Sequence, residues 1–153
     1  MKKAGCCMSK KQRINEKIKQ VEDYLDYLYE IFPEELEEYK NNLTIKAACE
    51  RYLEKIIEGC IEISFLIAKE LDFDMPEDED SIFQVLAKNG IISEKLSERL
   101  KSAKGMRNVL AHQYGDIDDS KIFSSIEQEL KGDIEEFFIK IEESLRNLSN
   151  YGD

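Results

Sequence analysis

The chain has no tryptophan, one histidine, two prolines and seven glycines in 153 residues. So few turn-formers argue against a sandwich or barrel of many short strands, whose connections consume glycine and proline. No apolar run approaches the roughly 18 residues that a membrane-spanning helix needs. Lys2 and Lys3 are not followed by the apolar core of a secretory signal, so the expected setting is the cytoplasm. Cysteine is scarce in usable patterns as well. There is no Cys-x-x-Cys pair, and the single imidazole cannot complete a zinc set with the four cysteines. Cys6 and Cys7 are adjacent, which is poor geometry for a mutual bridge. Cys49 and Cys60 lie 11 residues apart on one expected helix, about 16 Å by helical rise, and read as small buried hydrophobes. Neither a metal nor a cofactor is expected.

What the chain has in abundance is charge. At 36% charged and 42% hydrophobic, it suits long helices with one apolar stripe and a solvated opposite face. The length is that of one domain. A net charge of −11 excludes polyanion binding over the whole surface. Locally the balance reverses. Between Ser93 and Tyr114, Lys95, Arg99, Lys101, Lys104 and Arg107 stand against Glu94 and Glu98, a net +3 that leaves −14 for the remainder. Such an island is either a guide for a polyanion, with Lys101 and Lys104 as candidate contacts, or an ordinary solvated helix face.

Apolar spacing divides the chain. Residues 1–9 read as an N-terminal tail, 10–148 as one helical domain and 149–153 as a C-terminal tail. Ile14, Ile18, Val21, Leu25 and Leu28 alternate steps of four and three, predicting a helix over Lys10–Ile31 that Phe32-Pro33 ends. A short helical piece over Glu34–Tyr39 follows. Cys49, Leu53, Ile56, Cys60, Ile63 and Ile67 continue the same rhythm in a helix from about Thr44 to Leu71. Tyr52, Ile57, Ile61 and Leu66 widen its apolar face, as a central helix requires. The run Asp72–Asp80 holds six acids and no base. It lacks the ligand order of an EF-hand, so it reads as a connection whose acids cap the next helix, Ser81–Lys88. Asn89-Gly90 marks a turn, Ser93 caps a helix ending near Tyr114, and a last helix runs from Asp119 to Leu148. The fold class is all-α, an up-and-down bundle of four to five main helices.

The specific signal is the stretch Gly105 to Asp118, which contains Arg107-Asn108-Val109-Leu110-Ala111-His112-Gln113-Tyr114. It resembles the R-x-x-x-x-H-x-Y signature of HepT proteins, a branch of the HEPN superfamily. Asn108 matches the polar residue that follows the arginine there. The resemblance extends to the second long helix, through Glu50-Arg51-Tyr52-Leu53-Glu54, Ile57, Glu58 and Ile61, and to the short connecting helix over Phe83–Gly90. It covers roughly Lys10 to Leu148. Glu62 stands where many relatives carry aspartate and keeps the charge. The resemblance implies a HEPN-like two-fold homodimer and a metal-independent endoribonuclease. It implies the toxin of a two-gene, type VII toxin–antitoxin pair, whose MntA-type nucleotidyltransferase antitoxin adds AMP to the motif tyrosine, here Tyr114. Some related helical HEPN proteins bind such a nucleotidyltransferase without cutting RNA, which is the alternative reading.

The residue types fit the chemistry. Metal-free RNA cleavage needs a group to take the 2′-hydroxyl proton, one to protonate the leaving 5′-oxygen, and a cation for the phosphoryl charge. His112 is the only imidazole, and imidazole titrates in the useful range. Arg107 supplies a planar fork that matches phosphate oxygens. Asn108 either orients His112 or contacts a phosphate oxygen. On an ideal helix Asn108 and His112 are about 40° apart, Arg107 and Tyr114 about 20°, and Arg107 and His112 about 140°. Arg107 and His112 meet only if the helix loosens before His112 or the arginine swings round. A two-fold dimer supplies two imidazoles to one cleft. AMP on Tyr114 places bulk and negative charge beside Arg107.

Overall fold

The computed structural model describes residues 9–112 and 117–151, with Asp80 and residues 149–151 described by their backbone alone. The expected N-terminal tail, but for Ser9, lies outside the described residues, as does Tyr114. The first helix, α1 (Lys10–Ile31), opens on a reciprocal capping box. Ser9 Oγ accepts from the Gln12 amide at 3.1 Å, and Gln12 Oε1 accepts from the Ser9 amide at 3.0 Å. Its buried residues are the five of the expected stripe. The short α2 (Leu36–Asn41) follows, and Asn42 then caps α3 (Leu43–Glu70) by accepting from the Ile45 amide at 3.1 Å.

Helices α1 and α3 run antiparallel in close register. Lys10 pairs with Glu70 and Lys17 with Glu62, and between them Gly59 passes so near Val21 that a Cβ there would collide with the valine side chain. That approach is what Gly59 is for, since glycine in mid-helix otherwise costs about 1 kcal/mol relative to alanine. α3 carries eleven buried residues and is the central helix, as its broad apolar face predicts. It stops where Asp72 adopts φ 58°, with the Phe73 amide donating back to the Ala68 carbonyl at 2.9 Å.

A 3₁₀ turn (Glu79–Ser81) leads into α4 (Ile82–Lys88), which ends at Gly90 with φ 76°. The acids before α4 do not cap it as expected. Neither Asp78 nor Ser81 makes a side-chain capping bond, because the 3₁₀ turn intervenes and Asp78 instead accepts from the Ser81 hydroxyl at 3.2 Å. Ser93 does cap α5 (Glu94–His112), accepting from the Leu96 amide at 3.1 Å.

The last helix starts at Asp119 and reaches Tyr151, past the expected stop at Leu148. It comprises α6 (Asp119–Ser125), a π turn (Ile126–Leu130) and α7 (Lys131–Tyr151). The Tyr29 hydroxyl donates to the Ile126 carbonyl, the first of the π turn, at 2.6 Å. Burial chiefly pushes that phenol up to about 12, so it stays a donor. Phe83 and Phe137 meet edge to face at 6.2 Å in the core, and Phe32 stacks on Phe123 at 4.8 Å. All described elements are helical, and none is long and apolar enough to cross a membrane. Cys49 and Cys60 are buried free thiols, as their spacing implies, and burial pushes Cys49 up to about 11 and Cys60 higher still.

Candidate functional site

The final turns of α5 hold the site. Leu110 is buried and Met106 packs against the core, which fixes the roll of the helix. Val109, Ala111 and His112 are exposed at its end. Arg107 points a different way. Its side chain is only 13% exposed, and Nη2 donates to Oε1 of Glu79, on the 3₁₀ turn before α4, at 3.1 Å. Arg107 Nε is buried with no hydrogen-bond partner among the described residues. The guanidinium is thus held from one edge by a carboxylate, and its Nε–H is left unsatisfied among the described residues.

The α-helix is continuous through His112. Loosening before the histidine is therefore not how Arg107 and His112 come together, and within one chain they remain about 140° apart around the axis. Asn108, half-buried, does share a face with His112. Among the described residues no three His, Cys, Asp or Glu side chains group as a metal site requires.

The basic island is largely consumed by the fold. Arg99 Nε donates to Asp133 at 2.7 Å and its Nη2 to Glu136 at 3.2 Å, which ties α5 to α7. Lys104 is 3% exposed, while Lys101 is open to solvent. Of the two candidate contacts, Lys101 therefore faces solvent and Lys104 is packed away from it.

Two features have no counterpart in the sequence reading. One is a groove of about 610 Å³ that shares Glu79 with the Arg107 ion pair. Phe65, Leu66 and Met75 form its apolar floor, and Arg13, Lys17 and Lys69 line one side. These cations come from α1 and α3, more than a helix away from the motif in sequence, so no local pattern announces them. The other is a buried polar cluster where the first turns of α3 meet α6. Lys46 Nζ pairs with Asp119 Oδ2 at 2.8 Å. Glu50 Oε2, Asp119 Oδ1 and the Tyr39 hydroxyl are buried beside it without partners among the described residues. Burial foremost raises the Glu50 carboxyl, against the opposing pull of Lys46 and with help from Asp119 and Glu54. Burial likewise raises the Tyr39 phenol. The cluster anchors Asp119, where the chain resumes helix after the motif.

This geometry has relatives. The model of the family described as "Ribonuclease HepT-like" matches residues 14–141. A protein of Archaeoglobus fulgidus named "Putative RNase" is 32% identical over 124 residues, covering 81% of this chain and 92% of that one. The mRNA nuclease HepT of Shewanella oneidensis is 27% identical over 65% of this chain and 74% of its own length. In structure, the chain is similar to the tri-AMPylated HEPN toxin of Shewanella oneidensis solved in complex with an MNT antitoxin. The TM-score is 0.79 at 24% identity, over 84% of this chain and 96% of that one. With the match running from α1 into α7 and across the Arg107–His112 turn, the chain belongs to the HepT-like ribonuclease family.

Proposed function

We propose that the chain is a metal-independent endoribonuclease, the toxin of a toxin–antitoxin pair, working in the cytoplasm as a two-fold dimer and silenced by AMP on Tyr114. One observation carries the reading. The HepT-like match over residues 14–141 includes Arg107, Asn108 and His112 with the spacing of the motif, on the last turns of an unbroken helix. The names of the relatives support the rest, one an mRNA nuclease and another an AMPylated toxin bound to its antitoxin.

In this mechanism an imidazole of His112 takes the 2′-hydroxyl proton as that oxygen attacks the adjacent phosphorus. The bond to the 5′-oxygen breaks, and an imidazolium returns a proton to it, leaving a 2′,3′-cyclic phosphate and a free 5′-hydroxyl. Arg107, steadied by Glu79, stabilises the phosphoryl charge, and Asn108 orients His112. A phosphodiester on Tyr114 then competes with RNA for Arg107.

The test compares wild type, Arg107→Ala and His112→Ala on mixed RNA in EDTA. Wild type cuts and leaves cyclic phosphate ends, and each variant is slower by about 10²-fold or more. RNA left intact by wild type, or cut equally by both variants, overturns the reading in favour of a non-catalytic module that binds a nucleotidyltransferase. Co-expression with a MntA-type nucleotidyltransferase adds AMP mass to wild type and none to Tyr114→Phe.

A further inference from the structure

We propose that the cleft between α5 and the last helix binds a free amino acid with a large apolar side chain. The cleft has a volume of about 270 Å³, slightly below the roughly 300 Å³ at which pockets for drug-sized ligands begin. Leu53, Leu100, Met106, Leu130 and Ile134 make its floor, and all but Met106 are buried in the core. Its rim is charged, and the fold uses only part of that charge. Arg99 and Asp133 close one end by pairing with each other at 2.7 Å, and Glu136 takes a second edge of the guanidinium at 3.2 Å. Lys121 and Glu129 also line the cleft. Both are exposed, and neither has an ion pair among the described residues.

Lys121, Ser125 and Glu129 follow one another at steps of four along the last helix and all border the cleft, so its edge presents a cation, a hydroxyl and a carboxylate in turn. Lys121 and Glu129 stand at twice the spacing at which helical side chains pair. They therefore do not neutralise each other. A zwitterion satisfies both at once. Its carboxylate meets Lys121 and the Ser125 hydroxyl, its ammonium meets Glu129, and its side chain displaces water from the apolar floor. Ser102, exposed on α5 across the cleft, offers a second hydroxyl. A simple anion or cation satisfies one of the two charges and faces a like charge at the other. The π turn contributes Glu129 and Leu130 to this cleft, and such turns recur at functional sites. Met106 immediately precedes Arg107, so an amino acid seated here ties α5 beside the motif to α6.

Heteronuclear NMR titration of the full chain tests this with L-leucine, L-methionine and L-phenylalanine. Glycine serves as the control without an apolar tail. Two leucine analogues isolate the charges: isocaproate lacks the ammonium, and isoamylamine lacks the carboxylate. At least one of the three amino acids binds with a Kd below about 1 mM, shifting the amides of Ser102, Lys121 and Ser125. Each analogue binds at least about tenfold more weakly, and glycine does not bind. Lys121→Gln weakens amino-acid binding about tenfold and leaves isoamylamine unchanged. Glu129→Gln weakens it similarly and spares isocaproate. Both changed side chains are exposed, so circular dichroism stays that of wild type. Ala103→Phe, which fills the cleft from a half-buried position, abolishes binding. Absence of binding by all three amino acids at about 10 mM overturns the proposal. So do analogues that bind as tightly as leucine, or glutamine variants that both bind as wild type does. Every arm reads binding to the chain itself, so an inactive ribonuclease leaves this result unaffected.

Discussion

Tyr39, Lys46, Glu50 and Asp119 show how single residues carry the fold's tension. Glu50 is a carboxylate held chiefly by burial above its ordinary range of 4.5, and its one nearby cation already pairs with Asp119. A carboxyl raised in the folded state binds a proton more tightly there than in the unfolded chain. The stability it brings is therefore complete below about pH 4.5, the unfolded value, and falls as pH rises through the folded value. Above the folded value the charged form of Glu50 is held at a cost. Glu50→Gln is expected to melt higher than wild type at neutral pH and to lose that decline, as thermal unfolding followed from pH 4 to 8 reveals; parallel curves for the two proteins refute it. None of this was legible in the sequence, where Glu50 is one of many acids on a charged helix. Arg107 and His112 were legible because motif spacing is local. Glu79, expected as a helix cap, instead meets Arg107 across 28 positions, and only the folded chain makes such pairs.

At the scale of elements, the alternation of four and three reads off α1 and α3 almost residue for residue, since burial obeys helical period directly. The last helix departs from it in a way the sequence does record. Ile122, Ile126, Ile134 and Leu130 are separated by three consecutive steps of four, and all four are buried. Over 12 residues an α-helix drifts by about 120° on that spacing, which would carry Ile134 off the core. The π turn takes in one extra residue and recovers about 100° of the drift, so the stripe stays on one face. An unbroken α-helix from Asp119 to Leu148 therefore does not fit this stripe. Removing the exposed Gln128 turns the spacing into four, three, four, the ordinary α rhythm. We expect the Gln128 deletion to fold with native helix content and a modestly altered melting temperature. Deleting the exposed Arg51 instead rotates the rest of α3's stripe by about 100° and abolishes cooperative unfolding. Calorimetry of the two deletions side by side decides the matter, and equal damage from both refutes this account of the π turn.

For the whole molecule, the governing fact is one histidine per chain, exposed at the end of a helix whose arginine faces another way. A single imidazole can serve in turn as base and acid, or two chains can each contribute one to a common cleft. Kinetics of a mixed dimer separate these cases. Refolding differently tagged wild-type and His112→Ala chains together and isolating the doubly tagged dimer places His112→Ala on one chain alone. If the cleft needs both imidazoles, one as base and one as acid, the half-substituted dimer loses activity nearly as fully as the doubly substituted one. Two independent sites retain about half of the wild-type rate, since each then depends on its own chain. The dimer proposed here predicts the first outcome. It also predicts that the half-substituted dimer still binds RNA with near-native affinity, since both Arg107 side chains remain and phosphate contacts set affinity. Single-turnover cleavage and RNA-binding titrations on the same preparation give both numbers. Half-activity with unchanged binding would place one complete site in each chain and remove the chemical reason for a shared cleft.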